Sequence, residues 1–177
     1  MFFYIPGQLI SLVTFPGVIV HEIAHHFFAD ISGVPVYKIC YFRMGDPAGY
    51  VIHGEALELK QAFLISIGPL IINSLLCILI TSTFVYPLLI FDDHTVHFTN
   101  IMAAWIGFSI GMHAFPSNQD TDSFLQALDK SDKDGILIVI SNIFAVIIKI
   151  ANFFKAAWFD LFYAIGLSYM LPAIIGY

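Results

Sequence analysis

Charge is scarce in this chain. Of its 177 residues only 11% are Asp, Glu, Lys or Arg, whereas 59% are hydrophobic and 16% aromatic, with a mean hydropathy of +0.85. A soluble domain of that length could not bury so much apolar surface. Basic residues are scarcest: seven Lys and Arg against thirteen Asp and Glu, a net charge of −6 with no basic block, which excludes a nucleic-acid footprint. The two cysteines, Cys40 and Cys77, fall in an expected loop and an expected span. They are too few for a cysteine zinc site and poorly placed for a disulfide framework, so both read as small buried hydrophobes. There is no internal repeat and no low-complexity tract, and 1–177 reads as a single integral-membrane domain.

What the chain has in quantity is long uncharged sequence. Residues 1–20, 61–91, 98–119, 135–148 and 161–177 contain no Asp, Glu, Lys or Arg. Several approach or exceed the roughly 20 residues that cross a bilayer. The first lacks a basic leader and a small-residue cleavage site, and so is expected to be a retained helix. The resulting expectation is an all-α polytopic membrane protein of about five transmembrane helices, near 5–29, 61–82, 98–117, 135–154 and 156–177. The last two could instead be one span with an interfacial helix.

Residues 34–59 mix β-branched and aromatic residues around the turn-forming "GDPAG" and predict a small β-hairpin after the first span. Residues 91–98 form a short acidic loop. Residues 116–135 form the most polar loop, within which "SFLQALDK" could be a short helix. Lys38, Arg43 and Lys60 follow the first span, and Lys130 and Lys133 the third, which puts those loops in the cytosol and the N-terminus outside. Lys149 and Lys155 then fall outside, against the trend.

Ionisable groups inside an apolar run are costly and point to function by default. "VIVHEIAHHFF", residues 18–28, contains His21 and His25 four residues apart, on one face of a helix, where two imidazoles can hold one metal ion. Glu22 lies about 100° round the helix, within reach of a water on that metal. This is the HExxH arrangement of zinc hydrolases, in which imidazoles bind Zn2+ and the carboxylate takes a proton from an acidified water. With seven His and three Glu in the chain, a chance occurrence has a probability of about one in two hundred. The plainer alternative is a hydrogen-bonded polar cluster between helices.

A catalytic zinc needs a third protein ligand and an open position. His25 lies near the cytosolic end of the first span, so the partner should lie at the cytosolic end of another. Asp120, four residues after the helix-breaking Pro116, fits best. Asp122, His113 and a residue of the hairpin remain alternatives, with Asp122 better suited to capping a helix. His26 points to another face, as a supporting or interfacial group. His53 reads as a polar strand residue that could touch substrate, and His94 and His97 fall on the opposite side of the membrane.

These residues resemble the site-2 protease family of intramembrane zinc metalloproteases. The resemblance rests on "HEIAH", on "GPLIIN" (residues 68–73) and on "PSNQD" (residues 116–120), and covers about residues 10–125. It implies zinc held by His21, His25 and Asp120, with Glu22 activating water. It further implies a membrane-associated sheet that holds an unwound substrate by strand addition. Two departures stand out: Asp120 is followed by Thr121 rather than Gly, and Asn73 lies one position beyond the usual Gly-Pro-x-x-Asn spacing from Pro69. Helix packing and a kink account for Gly68 and Pro69 at least as well as catalysis does.

The expected function is therefore an intramembrane zinc metalloendopeptidase, integral to the membrane with its active site toward the cytosol. Its substrate would be a membrane protein or peptide. The alternative is a non-catalytic membrane metal-binding or adaptor protein that retains a protease-like site. A small-molecule hydrolase would use the same chemistry. Metal transport is disfavoured because the later spans have almost no ionisable residues to form a path.

Overall fold

The computed structural model describes residues 7–90, 97–131, 135–155 and 158–175. His94, Lys133 and most of the acidic loop expected at 91–98 lie outside these residues.

The first apolar run is broken at Thr14. Helix α1 (Gly7–Val13) and helix α2 (Phe15–Ile31) meet there at 90°. Pro16 explains the break: in the first turn of α2 it gives up no hydrogen bond, whereas inside a continuous helix it would. The Thr14 hydroxyl turns back to the Ile10 carbonyl at 2.6 Å. At its other end α2 stops where Gly33 adopts φ +71°, and the Val34 N–H closes the turn on the Ala29 carbonyl at 3.0 Å.

Strands β1 (Val36–Cys40) and β2 (Tyr50–His53) form an antiparallel hairpin with Val36 opposite His53 and Cys40 opposite Tyr50. The cations of Lys38 and Arg43 sit over the Tyr50 ring, 5.6 and 5.1 Å from its centroid. Helix α3 (Leu59–Ile90) follows and packs against α2, against α4 (Phe98–Met112) and against α7 (Phe159–Ile175). Small residues let these backbones approach, as expected when lipid rather than water surrounds the helices. A Cβ on Gly17 would strike the Ser109 carbonyl, and one on Gly111 would fall 2.6 Å from the Cys77 sulfur and 2.8 Å from Ala164 Cβ. Cys77 is fully buried in that seam, while Cys40 is half-buried.

Helix α5 (Asn118–Lys130) and helix α6 (Ile136–Phe154) form a second layer. Phe124, Phe144, Ala145 and Ile148 pack together with Ala62 at the start of α3. The polar stretch read from sequence as a loop is thus mostly helix. Its start is a capping box: Ser117 Oγ accepts from the Asp120 N–H at 3.2 Å, and the Asp120 carboxylate accepts from the Ser117 N–H at 2.9 Å.

The expectation of about five transmembrane helices is overturned. Among the described residues two helices are long and apolar enough to cross a membrane, Leu59–Leu88 and Ile136–Phe154, or up to three if the bent α1–α2 pair counts as one span. The reason is where helices end. Helix α4 is 15 residues long because His113 caps it ahead of Pro116, and α7 is 17 residues long as described. At about 1.5 Å per residue both fall short of a hydrocarbon core of about 30 Å. Charge-free sequence continues across these breaks, but the helices do not. Membrane association is still written on the surface: Ile136 (79% exposed), Phe153 (78%) and Phe162 (67%) turn outward rather than inward.

Candidate metal centre

His21 and His25, one turn apart on α2, are both buried. The capping box of α5 brings Asp120 to them. His25 Nε2 lies 3.1 Å from His21 Nε2 and 3.3 Å from Asp120 Oδ2, and His21 Nε2 lies 3.7 Å from the same oxygen. Among the described residues these three form the one group of His, Cys, Asp or Glu side chains arranged to hold a metal ion. Donors on a tetrahedral ion with bonds of about 2.0–2.1 Å stand about 3.3–3.4 Å apart, so the triangle has a size that suits a small tetrahedral metal ion.

The other nitrogen of each imidazole is engaged. His21 Nδ1 bonds the His113 carbonyl at 2.6 Å, and His25 Nδ1 bonds the Ile65 carbonyl at 3.0 Å. A carbonyl only accepts, so Nδ1 must carry the proton in both rings, and each Nε2 presents a lone pair to the centre. This outer arrangement fixes the tautomer and orientation a metal-binding histidine needs.

Both carbonyls are available for reasons the sequence supplies. Inside a helix the Ile65 carbonyl would accept from the N–H four residues on, but residue 69 is proline and has none. Pro69 therefore leaves Ile65 free for His25. The His113 carbonyl is at the C-terminal end of α4, where carbonyls lose their helical partners. There the fully buried Asn73 binds it, donating from Nδ2 to His113 O at 3.0 Å and Ile110 O at 3.1 Å. "GPLIIN" thus contributes through backbone geometry: Pro69 aligns one histidine and Asn73 steadies the acceptor of the other.

Asp120 is also tied by the Ser117 hydroxyl, which donates to Oδ2 at 2.6 Å. Glu22 is buried beside the ligand group and not within it. The hairpin loop closes over it at Gly49, where a Cβ would lie 2.7 Å from Glu22 Cγ. His21, Glu22, His25 and Asp120 all line one cavity of about 590 Å³, which β2 also lines.

The remaining candidates lie elsewhere. Asp122 is exposed on α5, and it is Ser117 rather than Asp122 that caps the helix. His113 contributes its carbonyl, while its ring bonds the Thr14 hydroxyl at 2.8 Å. His26 bonds Tyr41 at 2.8 Å and Asp30 at 3.2 Å on the outer face of α2. His53 lines the cavity with Nδ1 bound to the Gly54 carbonyl at 2.8 Å, and His97 precedes α4 on the surface. Sequence reasoning missed Ser117, although Ser-x-x-Asp is a recognisable capping signal. Lys155, assigned from sequence to the outer side, lines the same cavity as the cluster.

The chain matches no protein-family model, no curated protein and no solved structure. What stands is a His21–His25–Asp120 cluster able to chelate a metal, its two histidines buried, together with two helices among the described residues long and apolar enough to span a membrane.

Proposed function

We propose that this chain is a zinc-binding protein of the membrane and that its centre hydrolyses peptide bonds. The first part is carried by one observation: two Nε2 lone pairs and a carboxylate oxygen converge within 3.7 Å, with both ring protons already committed to carbonyls. Such a set favours a cation between its members, and two imidazoles with one carboxylate suit zinc better than calcium or magnesium.

The second part rests on Glu22, a carboxylate that lines the same cavity outside the ligand set. When bound, zinc supplies a Lewis acid that acidifies water and draws charge from a carbonyl oxygen. Glu22 accepts the proton of the attacking water and returns it to the departing nitrogen. Strand β2 offers a peptide an edge along which to lie, so the substrate is an extended segment of a membrane protein or a peptide. This follows the resemblance to site-2 proteases. Lys38, Arg43 and Lys60, with Lys130 bound to Glu55 at 2.6 Å, gather at the hairpin end of α3 and support a site toward the cytosol.

The donor geometry serves metal binding alone equally well, so a non-catalytic metal-binding or adaptor role is the second reading. Zinc per chain in purified, detergent-solubilised protein tests the first part. About one zinc is expected in wild type and in Glu22→Gln, and none in His21→Ala or Asp120→Ala. Cleavage of transmembrane peptides by wild type and not by Glu22→Gln distinguishes the enzyme from the adaptor. Failure to take up zinc after reconstitution would sink the hydrolase reading and favour the adaptor.

A further inference from the structure

The cavity is also lined by a polar pair that the metal chemistry does not use. It lies at the turn between α6 and α7, where Lys155, Trp158 and Asp160 line the wall. Trp158 has φ 62°, a left-handed conformation that a bulky side chain rarely adopts. Its N–H bonds the Lys155 carbonyl at 3.1 Å, and its own carbonyl accepts from Leu161 at 3.0 Å.

The two charges there are incompletely matched. Lys155 Nζ stands 3.8 Å from Asp160 Oδ2, beyond hydrogen-bond reach, with side-chain exposures of 45% and 13%. The other oxygen, Asp160 Oδ1, is buried and has no partner among the described residues. A buried polar atom left unpaired in a cavity wall calls for an occupant. Charge narrows its nature. Lys155 would repel a cation that Asp160 attracts, and Asp160 would repel an anion that Lys155 attracts. A neutral group that carries a donor beside an acceptor satisfies both.

We propose that Lys155 and Asp160 form a main-chain anchoring subsite for an extended polypeptide, Asp160 accepting a backbone N–H and Lys155 donating to a backbone carbonyl. This deepens the peptide-hydrolase reading and rests on it. It makes the substrate a polypeptide rather than a small amide, gripped by its main chain irrespective of its side chains.

The test uses zinc-loaded full-length protein and two hydroxamates: acetohydroxamate, which reaches only a metal, and a capped tripeptide hydroxamate of alanine and leucine. Asp160→Ala and Lys155→Met should each weaken the tripeptide probe about tenfold, while acetohydroxamate affinity and zinc content stay unchanged. Methylating one backbone nitrogen of the tripeptide should cost wild type a similar factor and cost Asp160→Ala nothing further. That measurement on wild type needs no variant to fold. The subsite is overturned if both probes weaken alike, or if every singly N-methylated tripeptide binds wild type as tightly as the parent. If zinc-loaded wild type binds neither probe, the metal-hydrolase reading falls and the subsite with it.

Discussion

The two polar groups that line the cavity are built on opposite principles. In the His21–His25–Asp120 group the outer atoms are committed: each Nδ1 has its carbonyl, and the Asp120 oxygen is fixed by Ser117. What is left over is two inward Nε2 lone pairs facing one carboxylate oxygen. In the Lys155–Asp160 group the ion pair is stretched and one oxygen is unpaired. A saturated outer shell makes a rigid centre that holds its geometry before anything binds. An unsaturated pair makes a surface that is completed by what binds.

Removing an inner donor should have the largest effect. His25→Ala is expected to abolish stoichiometric zinc, read by metal analysis after gel filtration, and retention of one zinc per chain would erase the contrast between the two groups. Next come the groups that only orient donors. Asn73→Ala and Pro69→Ala should each weaken zinc about 10- to 100-fold in a competition titration. The first loosens the His113 carbonyl, and the second restores an N–H that competes for the Ile65 carbonyl. Unchanged affinity in both would mean that the outer shell is not what makes the centre rigid.

Gly49→Ala should sharpen the comparison from the catalytic side. The added methyl displaces Glu22, so peptide cleavage should fall about tenfold or more with zinc content intact. The smallest effect belongs to Glu55, exposed and held below the usual carboxylate range by its hydrogen bond and charge interaction with Lys130. Because its folded pKa is depressed, its contribution is present above the unfolded pKa of about 4.3 and is lost as pH falls through the lower folded value. Lys130→Ala should therefore shift Tm by no more than about 1 °C at neutral pH, and by less in acid.

Much of the metal cluster was legible because its signals are local. The spacing of His21 and His25 follows from the helical repeat, and Pro116 with Asp120 marks a helix break that returns a carboxylate to the same depth. The hairpin also lies where "GDPAG" sits between β-rich segments. The number of spans was not legible. An uncharged run looks continuous whether or not the helix bends, and only the 90° turn at Thr14 and the end of α4 at Met112 reveal the shortfall. The sharing of one cavity by Lys155 and the metal cluster was not legible either, since counting cations by loop assumes that every apolar segment crosses.

By itself the sequence determined that the chain associates with apolar surroundings, that two imidazoles share one helix face, and that a proline occupies position 69. These follow from composition, from the 3.6-residue repeat and from the missing N–H of proline. Tertiary structure alone decided that the carbonyl left free by Pro69 meets His25, that the end of α4 meets His21, and that Asp120 and Lys155 share one cavity. Each of those pairings joins atoms far apart along the chain, and helix packing, not local backbone preference, sets their distance.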